Sequence, residues 1–307
     1  MPTQITPVLP DRPGLAVTPA APTYRIGDYT VTRVTERVID SFAPSFLLPT
    51  AAPETVARHL HWMVPACADE GSEHLRLSIH TWVLRRPGRT ILIDTCIGNF
   101  KERPGKAVFH QLDTPYLLRL KAAGVDPADV DLVLNTHLHT DHVGWNTQLV
   151  DGRWLPTFPN ARYLFPQLEL ELVREHPGHL RQVFEDSVKP VIDSGQASTV
   201  LPEGESIGDG LRFVPTNGHT AGHMSIWLES GEDCALFSGD VMHHPLQVHE
   251  PYLNSVFCDF PDLAARTRTD VLNQVADRRA HYFSSHFPAS SVGKVERQGA
   301  GFAWRFI

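Results

Sequence analysis

Thr136-His137-Leu138-His139-Thr140-Asp141-His142-Val143-Gly144 sets three imidazoles and a carboxylate within six residues, directly after the apolar run Asp131-Leu132-Val133-Leu134-Asn135. That run reads as a short buried strand, so the ligand-type residues sit on a loop at a strand end, where side chains can converge. Histidine and carboxylate side chains suit zinc and related divalent ions. So many in one loop would crowd each other without a cation to share, which argues against an ordinary polar surface loop. The chain supplies its own control at His59-Leu60-His61. This second His-x-His falls in a helix expected to begin near Pro53-Glu54, where neighbours two apart point to different faces. No Asp-His follows it, so it reads as surface or packing.

Three later segments place a histidine or aspartate beside small residues at an expected strand end: Asn217-Gly218-His219-Thr220, Phe237-Ser238-Gly239-Asp240 and Ser284-Ser285-His286-Phe287-Pro288. Each alone is weak, since a chain with 17 histidines places some beside small residues by chance. Around them the pattern alternates strand and helix. Tyr29 to Val38 alternates apolar and polar residues, and Leu77 to Leu84, Arg86-Pro87-Gly88 and Thr90 to Asp94 read as strand, turn, strand. Thr114-Pro115 predicts a helix N-cap and first-turn proline ahead of Tyr116, with Gly124 as the stop. Pro261 to Ala280 spaces Leu263, Val271, Leu272 and Val275 at helical intervals before a strand at Tyr282-Phe283. The class predicted is α/β with two sheet-and-helix halves.

Residues 1–24 carry Pro2, Pro7, Pro10, Pro13, Pro19 and Pro22 and are expected to form an extended arm. Residues 25–307 read as one domain, no linker dividing the middle. Basic residues number 27 against 35 acidic ones, a formal charge of -8 that disfavours a nucleic acid partner. No stretch approaches the ~20 apolar residues of a membrane span, and no basic segment followed by an apolar one opens the chain. A soluble, cytoplasmic protein is the expectation. Cys67, Cys96, Cys234 and Cys258 form no C-x-x-C pair and read as four buried free thiols.

Taken in order, His-x-His-x-Asp-His, Gly-His, Gly-Asp and a late strand-end His resemble the metallo-β-lactamase superfamily, from about Tyr29 to the C-terminus. The resemblance implies the αβ/βα four-layer sandwich, two mixed β-sheets packed face to face with helices outside and metals at one edge. It implies that His137, His139 and His219 hold one metal, that Asp141, His142 and His286 hold another, and that Asp240 bridges them. Asp94, in Ile91-Leu92-Ile93-Asp94-Thr95, matches an early aspartate that supports such sites through hydrogen bonds without ligating. Zinc is the first expectation, with manganese, iron or cobalt compatible with the donors. Relatives that dimerise, together with the arm, imply a homodimer.

Within the superfamily the chain is similar to the branch of N-acyl homoserine lactonases and methyl parathion hydrolase. Asn135-Thr-His-Leu-His-Thr-Asp-His-Val-Gly144 and the terminal Ser285-His-Phe-Pro288 carry that likeness. The two-zinc lactamases commonly place cysteine where Asp240 stands, and glyoxalase II grips glutathione carboxylates with basic residues near its C-terminus, where this chain offers only Lys294, Arg297 and Arg305. The lactonases usually carry tyrosine three residues after the bridging aspartate; here that position is His243, closer to the methyl parathion hydrolase pattern, and a role in polarising substrate is weighed against a strand-edge histidine. His244 is read as a bystander.

Two cations about 3.5 to 4 Å apart can share a water and lower its pKa toward ~7, so hydroxide would attack a bound electrophile without a serine or cysteine nucleophile. By resemblance, Asp141 would also relay a proton to the leaving group. Trp62, Met63, Phe100, Phe109, Trp145 and Phe165 are the expected walls of an apolar substrate pocket, with core packing the ordinary alternative. The function implied is hydrolysis of a small ester or lactone. Phosphotriester hydrolysis stands second, with a glyoxalase II-like thioesterase or a nuclease behind it. A single-iron redox use of the first site, known among superfamily members, goes with loss of second-site ligands that this chain retains.

Overall fold

A computed structural model describes residues 22–71 and 73–307. The expected arm lies outside the described residues as far as residue 21. Its last two residues do not belong to it, because Thr23 and Tyr24 pair antiparallel with Thr32 and Val31. Contacts gather the chain into two compact units, one of residues up to Glu36 with His80–Val200, the other of Arg37–Ile79 with Leu201–Ile307. The strands are β1 (Thr23–Ile26), β2 (Tyr29–Phe42), β3 (Leu75–Arg86), β4 (Arg89–Ile93), β5 (Leu132–Leu134), β6 (Thr147–Val150), β7 (Arg153–Pro156), β8 (Arg162–Pro166) and β9 (Ala197–Val200). They continue as β10 (Ser206–Gly208), β11 (Leu211–Pro215), β12 (Met224–Ser230), β13 (Asp233–Phe237), β14 (His281–Phe283), β15 (Val292–Gln298) and β16 (Gly301–Phe306).

The first sheet runs β1-β2-β3-β4-β5-β8-β9 and is mixed: β3 and β4 form a hairpin across Pro87-Gly88, whereas β4, β5, β8 and β9 are parallel. Ile91-Leu92-Ile93 and Leu132-Val133-Leu134 are buried throughout, as strands in a parallel sheet must be when both faces are covered. Their register aligns Ile93 with Leu134 and Leu134 with Leu164, so β4 and β5 end level while β8 runs two residues further. Asp94 and Thr136 therefore leave the sheet side by side. The second sheet runs β10 to β16 in chain order and is antiparallel except where β13 meets β14. Phe237 pairs with Phe283, so Ser238-Gly239-Asp240 and Ser284-Ser285-His286 emerge together. Two antiparallel steps separate β11 from β13, which points the end of β11, and His219 beyond it, the same way.

The 17-residue helix Pro261–Asp277 buries Ala264, Arg268, Val271, Leu272 and Val275. The last three join Trp227, Leu236, Tyr282, Phe287 and Trp304 in one apolar core. The helix at Tyr116–Ala122 lies where expected, but Thr114 does not cap it. Its hydroxyl donates to Glu36 Oε1 at 3.0 Å, and Pro115 takes the N-cap position in its place. His59 and His61 lie on the helix Pro53–Met63, His59 held by Glu250 and Trp62 and His61 exposed. Cys67, Cys96 and Cys258 are free and buried, but Cys234 is only half-buried. Among the described residues no helix is long and apolar enough to cross a membrane.

Gly144 ends the His-rich loop where its backbone meets the loop that follows β4: its N–H donates to Cys96 O at 2.8 Å, and a Cβ would sit 1.7 Å from Ile97 O. Both partners are main chain and cannot rotate away. Gly144→Ala should lower the unfolding free energy by about 3 kcal/mol, the upper end for overpacking, read as a drop in the urea midpoint. A midpoint within error of wild type would show that these loops can separate.

Candidate metal centre

In the first unit the His-rich loop is built on Asp94. This residue adopts a left-handed backbone (φ 54°), a conformation Asp tolerates better than most residues and one that turns its carboxylate back across the strand ends. Oδ1 accepts the Thr136 N–H at 2.8 Å, and Oδ2 accepts the Thr136 hydroxyl at 2.9 Å. His142 Nδ1 lies 2.8 Å from Oδ2. A carboxylate can only accept, so Nδ1 carries the hydrogen and Nε2 keeps the lone pair a metal would need. His137 is buried, with its ring centroid 4.7 Å from that of His139 and 4.0 Å from that of His142; His139 and Asp141 are half-buried.

The second unit brings three imidazoles to one carboxylate. His219 Nε2 lies 3.3 Å from Asp240 Oδ2, His243 Nε2 3.2 Å from the same oxygen, and His286 Nε2 3.0 Å from Oδ1. All four residues are buried. His286 Nδ1 gives its hydrogen to Ser78 O at 3.1 Å, so in the neutral ring Nε2 turns a lone pair toward an anionic oxygen. That contact is favourable only if the ring is protonated and Nε2–H donates to Asp240 (3.2 Å to Oδ2), or if a metal cation lies between. Three buried imidazoles around one buried carboxylate are a set of donors that divalent ions can share, so the residues present fit a metal.

Several residues that the sequence reading passed over hold these loops. Glu36 accepts from the Ile97 N–H, the Trp145 indole N–H (both 2.7 Å) and Thr114; burial raises its pKa and these donors oppose the shift. A signal was present: Glu36 lies two residues after the buried Val34, at an inward phase of β2. His223, in a second Gly-His four residues after the first, accepts the Asp240 N–H on Nε2 at 2.8 Å and gives its Nδ1 hydrogen to Thr216 O. Arg268 donates to Val241 O at 3.1 Å and to the carbonyls of Pro251 and Leu253, which fixes the segment after Asp240. In the first unit Arg103 grips Asp186 through two nitrogens (2.7 and 2.9 Å) and donates to Thr140 Oγ1, inside the His-rich loop, at 2.6 Å. Lys101 joins from beneath, donating to Thr147 and to Asp186 O, with Nζ 3.7 Å from the Trp154 ring centre.

The residues expected to wall a pocket take different places. Met63 and Phe165 are fully buried. Trp145 is buried and stacked on Tyr116 at 5.2 Å, and Trp62 stacks on His249. Phe109 is half-buried and Phe100 is 49% exposed. A different aromatic group stands near the second unit's ligands: Phe42, Phe46 and Phe257 have ring centroids 5.5 to 6.1 Å apart, and Phe257 lies 5.7 Å from His243. Burial lowers the His243 pKa, with Asp240 opposing. Burial pushes His244 down to about 4; that ring is occupied, giving Nε2–H to Cys67 O and accepting the Leu246 N–H.

The metallo-β-lactamase superfamily matches residues 75–286, and the chain belongs to it. The fold is the one expected, α/β with two mixed sheets. A crystal structure of AidC, a dizinc quorum-quenching lactonase bound to its product, matches with a TM-score of 0.78 over 94% of this chain and 97% of that one, at 20% identity. At that identity the likeness is one of fold. The probable metallo-hydrolase Rv2300c of Mycobacterium tuberculosis is 24% identical over 213 residues, 62% of this chain and 64% of the relative. The N-acyl homoserine lactonase AttM of Rhizobium radiobacter is 33% identical over 115 residues, 35% of this chain and 39% of the relative. The chain thus spans less than two thirds of the length of the curated relatives it matches.

Burial is the main reason the Lys101 pKa falls to about 7, Asp186 raising it and Arg103 lowering it further. The unfolded chain would hold that proton up to about pH 10.5, so between the two values unfolding takes up a proton. Lys101 therefore contributes stability that is full above the unfolded value and is lost as pH falls toward 7. Chemical denaturation of wild type and Lys101→Met from pH 7 to 10 should show their stability difference shifting in favour of wild type as pH rises. A pH-independent difference would mean the ammonium stays charged inside the fold.

Proposed function

We propose that this chain is a metal-dependent hydrolase of small esters or lactones, with His137, His139, Asp141, His142, His219, Asp240 and His286 holding two divalent cations, zinc first. The observation that carries the reading is the convergence of buried imidazoles on Asp240, in a chain of this superfamily. When bound, the cations would supply Lewis acidity and a water acidic enough to serve as nucleophile near neutral pH. The protein's own share is placement. Asp94 fixes the His142 tautomer, Ser78 that of His286, and His223 the backbone at Asp240, so the lone pairs are aimed before any ion or substrate arrives. Asp141, half-buried like His139, is the carboxylate from which a proton can reach a leaving group.

The aromatic group Phe42, Phe46 and Phe257 supports an apolar acyl or aryl portion on the substrate, since Phe46 is 49% exposed and Phe257 faces His243. Phosphotriester hydrolysis is the second reading, favoured by histidine rather than tyrosine at 243. The named lactonase relatives favour the first.

Proton release in a pH-stat, with an acyl lactone, an aryl carboxylic ester and an aryl phosphotriester compared, should be fastest on lactone or ester and stop when the ions are chelated. Dominant phosphotriester turnover would promote the second reading, and turnover indifferent to chelation would end both. Phe257→Ala should lower kcat/KM for a long acyl chain roughly tenfold while sparing a short one, as loss of an apolar wall does. Equal losses on both would remove Phe257 from substrate binding.

A further inference from the structure

His243 is the least explained polar side chain near the proposed ligands. It is 2% exposed, Nδ1 has no hydrogen-bond partner, and the polar group that Nε2 meets is the Asp240 carboxylate. A neutral imidazole buried in that way costs roughly 1–3 kcal/mol, and an apolar ring of the same size would avoid the cost. Its frame is nonetheless closely held: Gln247 accepts the His243 and His244 N–H groups on Oε1, at 2.8 and 3.2 Å, and anchors itself on Leu253 O. The ring lies nearly parallel to His286, at 11° and 5.5 Å, and 4.9 Å from His219. The direction of the side chain is thus fixed toward a carboxylate that two other imidazoles already share.

The distance to Asp240 shows what that direction suits. Nε2 is 3.2 Å from Asp240 Oδ2, on the carboxylate shared with His219 and His286. Two donor atoms bound to one tetrahedral ion at about 2.0–2.1 Å lie ~3.3 Å apart, with both lone pairs aimed at the ion and not at each other. His243 Nε2 and Asp240 Oδ2 stand at that separation, and the donor atoms of His219, Asp240 and His243 all fall within 4.8 Å of one another.

We propose that His243 is itself a metal ligand, a fourth donor from the second unit beside His219, Asp240 and His286, for a borderline divalent ion such as zinc or cobalt. The proposal rests on the metal-centre reading above but departs from the seven-ligand set the resemblance implies. It also gives His243 a different task from polarising substrate. An added imidazole raises the affinity of the ion it touches and takes a coordination position that water or substrate would otherwise fill.

The test reads metal binding. Wild type and His243→Phe are stripped and reloaded with zinc or cobalt in competition with a chromophoric chelator. His243→Phe should bind one ion roughly 10–100-fold more weakly, the loss usual when support at a metal site is removed, and the visible cobalt bands should change. The metal-free variant should melt no lower than metal-free wild type, because a buried ring with a partnerless nitrogen has been replaced by an apolar one. Unchanged affinity together with an unchanged cobalt spectrum would overturn the proposal. Wild type that takes up no stoichiometric ion would overturn the metal-centre reading as well, so the two failures are distinguishable. Should His243→Phe not fold, NMR of wild type labelled at histidine nitrogen and loaded with NMR-active cadmium decides the matter: through-bond coupling to His243 is expected, and its absence would refute ligation.

Discussion

A buried lone pair cannot face a buried carboxylate unless a proton or a metal cation stands between them, and the rest of the structure depends on how this chain meets that constraint. Around Asp240 three imidazoles are held at 3.0 to 3.3 Å from one carboxylate, and His286, its Nδ1 hydrogen given to Ser78 O, turns a lone pair toward it when neutral. Such an arrangement costs free energy until a proton or a metal ion is supplied, so folding energy from elsewhere must impose it. The fold does so by giving the loops no other conformation to take. Asp94 and Thr136 leave level parallel strands, as do Ser238 and Ser284 in the second sheet, and both pairs are tied by main-chain or carboxylate hydrogen bonds.

Behind each loop lies a buried ionisable group held by several hydrogen bonds. Arg103, gripping Asp186, gives its remaining donor to Thr140; Arg268 distributes its guanidinium over carbonyls beyond Asp240; Glu36 gathers donors from three separate segments. A buried ion pair such as Arg103–Asp186 contributes little net stability against an apolar replacement, yet breaking one partner away costs roughly 3–5 kcal/mol. All three groups act as geometrical locks. Each accepts a bonding pattern in only one arrangement, which suits loops whose task is to hold side chains in an otherwise unfavourable position.

The aromatic residues near the site show how chemistry and packing divide similar side chains. Trp145 stands in the His-rich segment itself, but its indole N–H is claimed by Glu36 and its face by Tyr116, so it supports the loop from within. Phe46 and Phe257, distant in sequence from each other and from any ligand motif, form the apolar surface beside His243. Burial of a large ring stabilises the fold whichever ring is used, and only the course of the backbone determines which rings remain near solvent.

The amino-acid sequence by itself determined the class and the ligand candidates. Apolar runs such as Leu132-Val133-Leu134 can only be buried strands, and a run of imidazoles and carboxylate just after one is chemically costly without a metal, so both are local and legible. Strand positions, the Pro87-Gly88 turn and the long C-terminal helix followed from periodicity for the same reason. The tertiary structure alone decided the supporting roles: that Thr114 bonds Glu36 instead of capping a helix, that Arg103 reaches Thr140 across a long stretch of chain, that His223 holds the Asp240 backbone, and that Trp145 packs inward. Those outcomes depend on which segments the two sheets bring together. A hydrogen bond is specified by both of its ends, and the sequence displays only one end at a time.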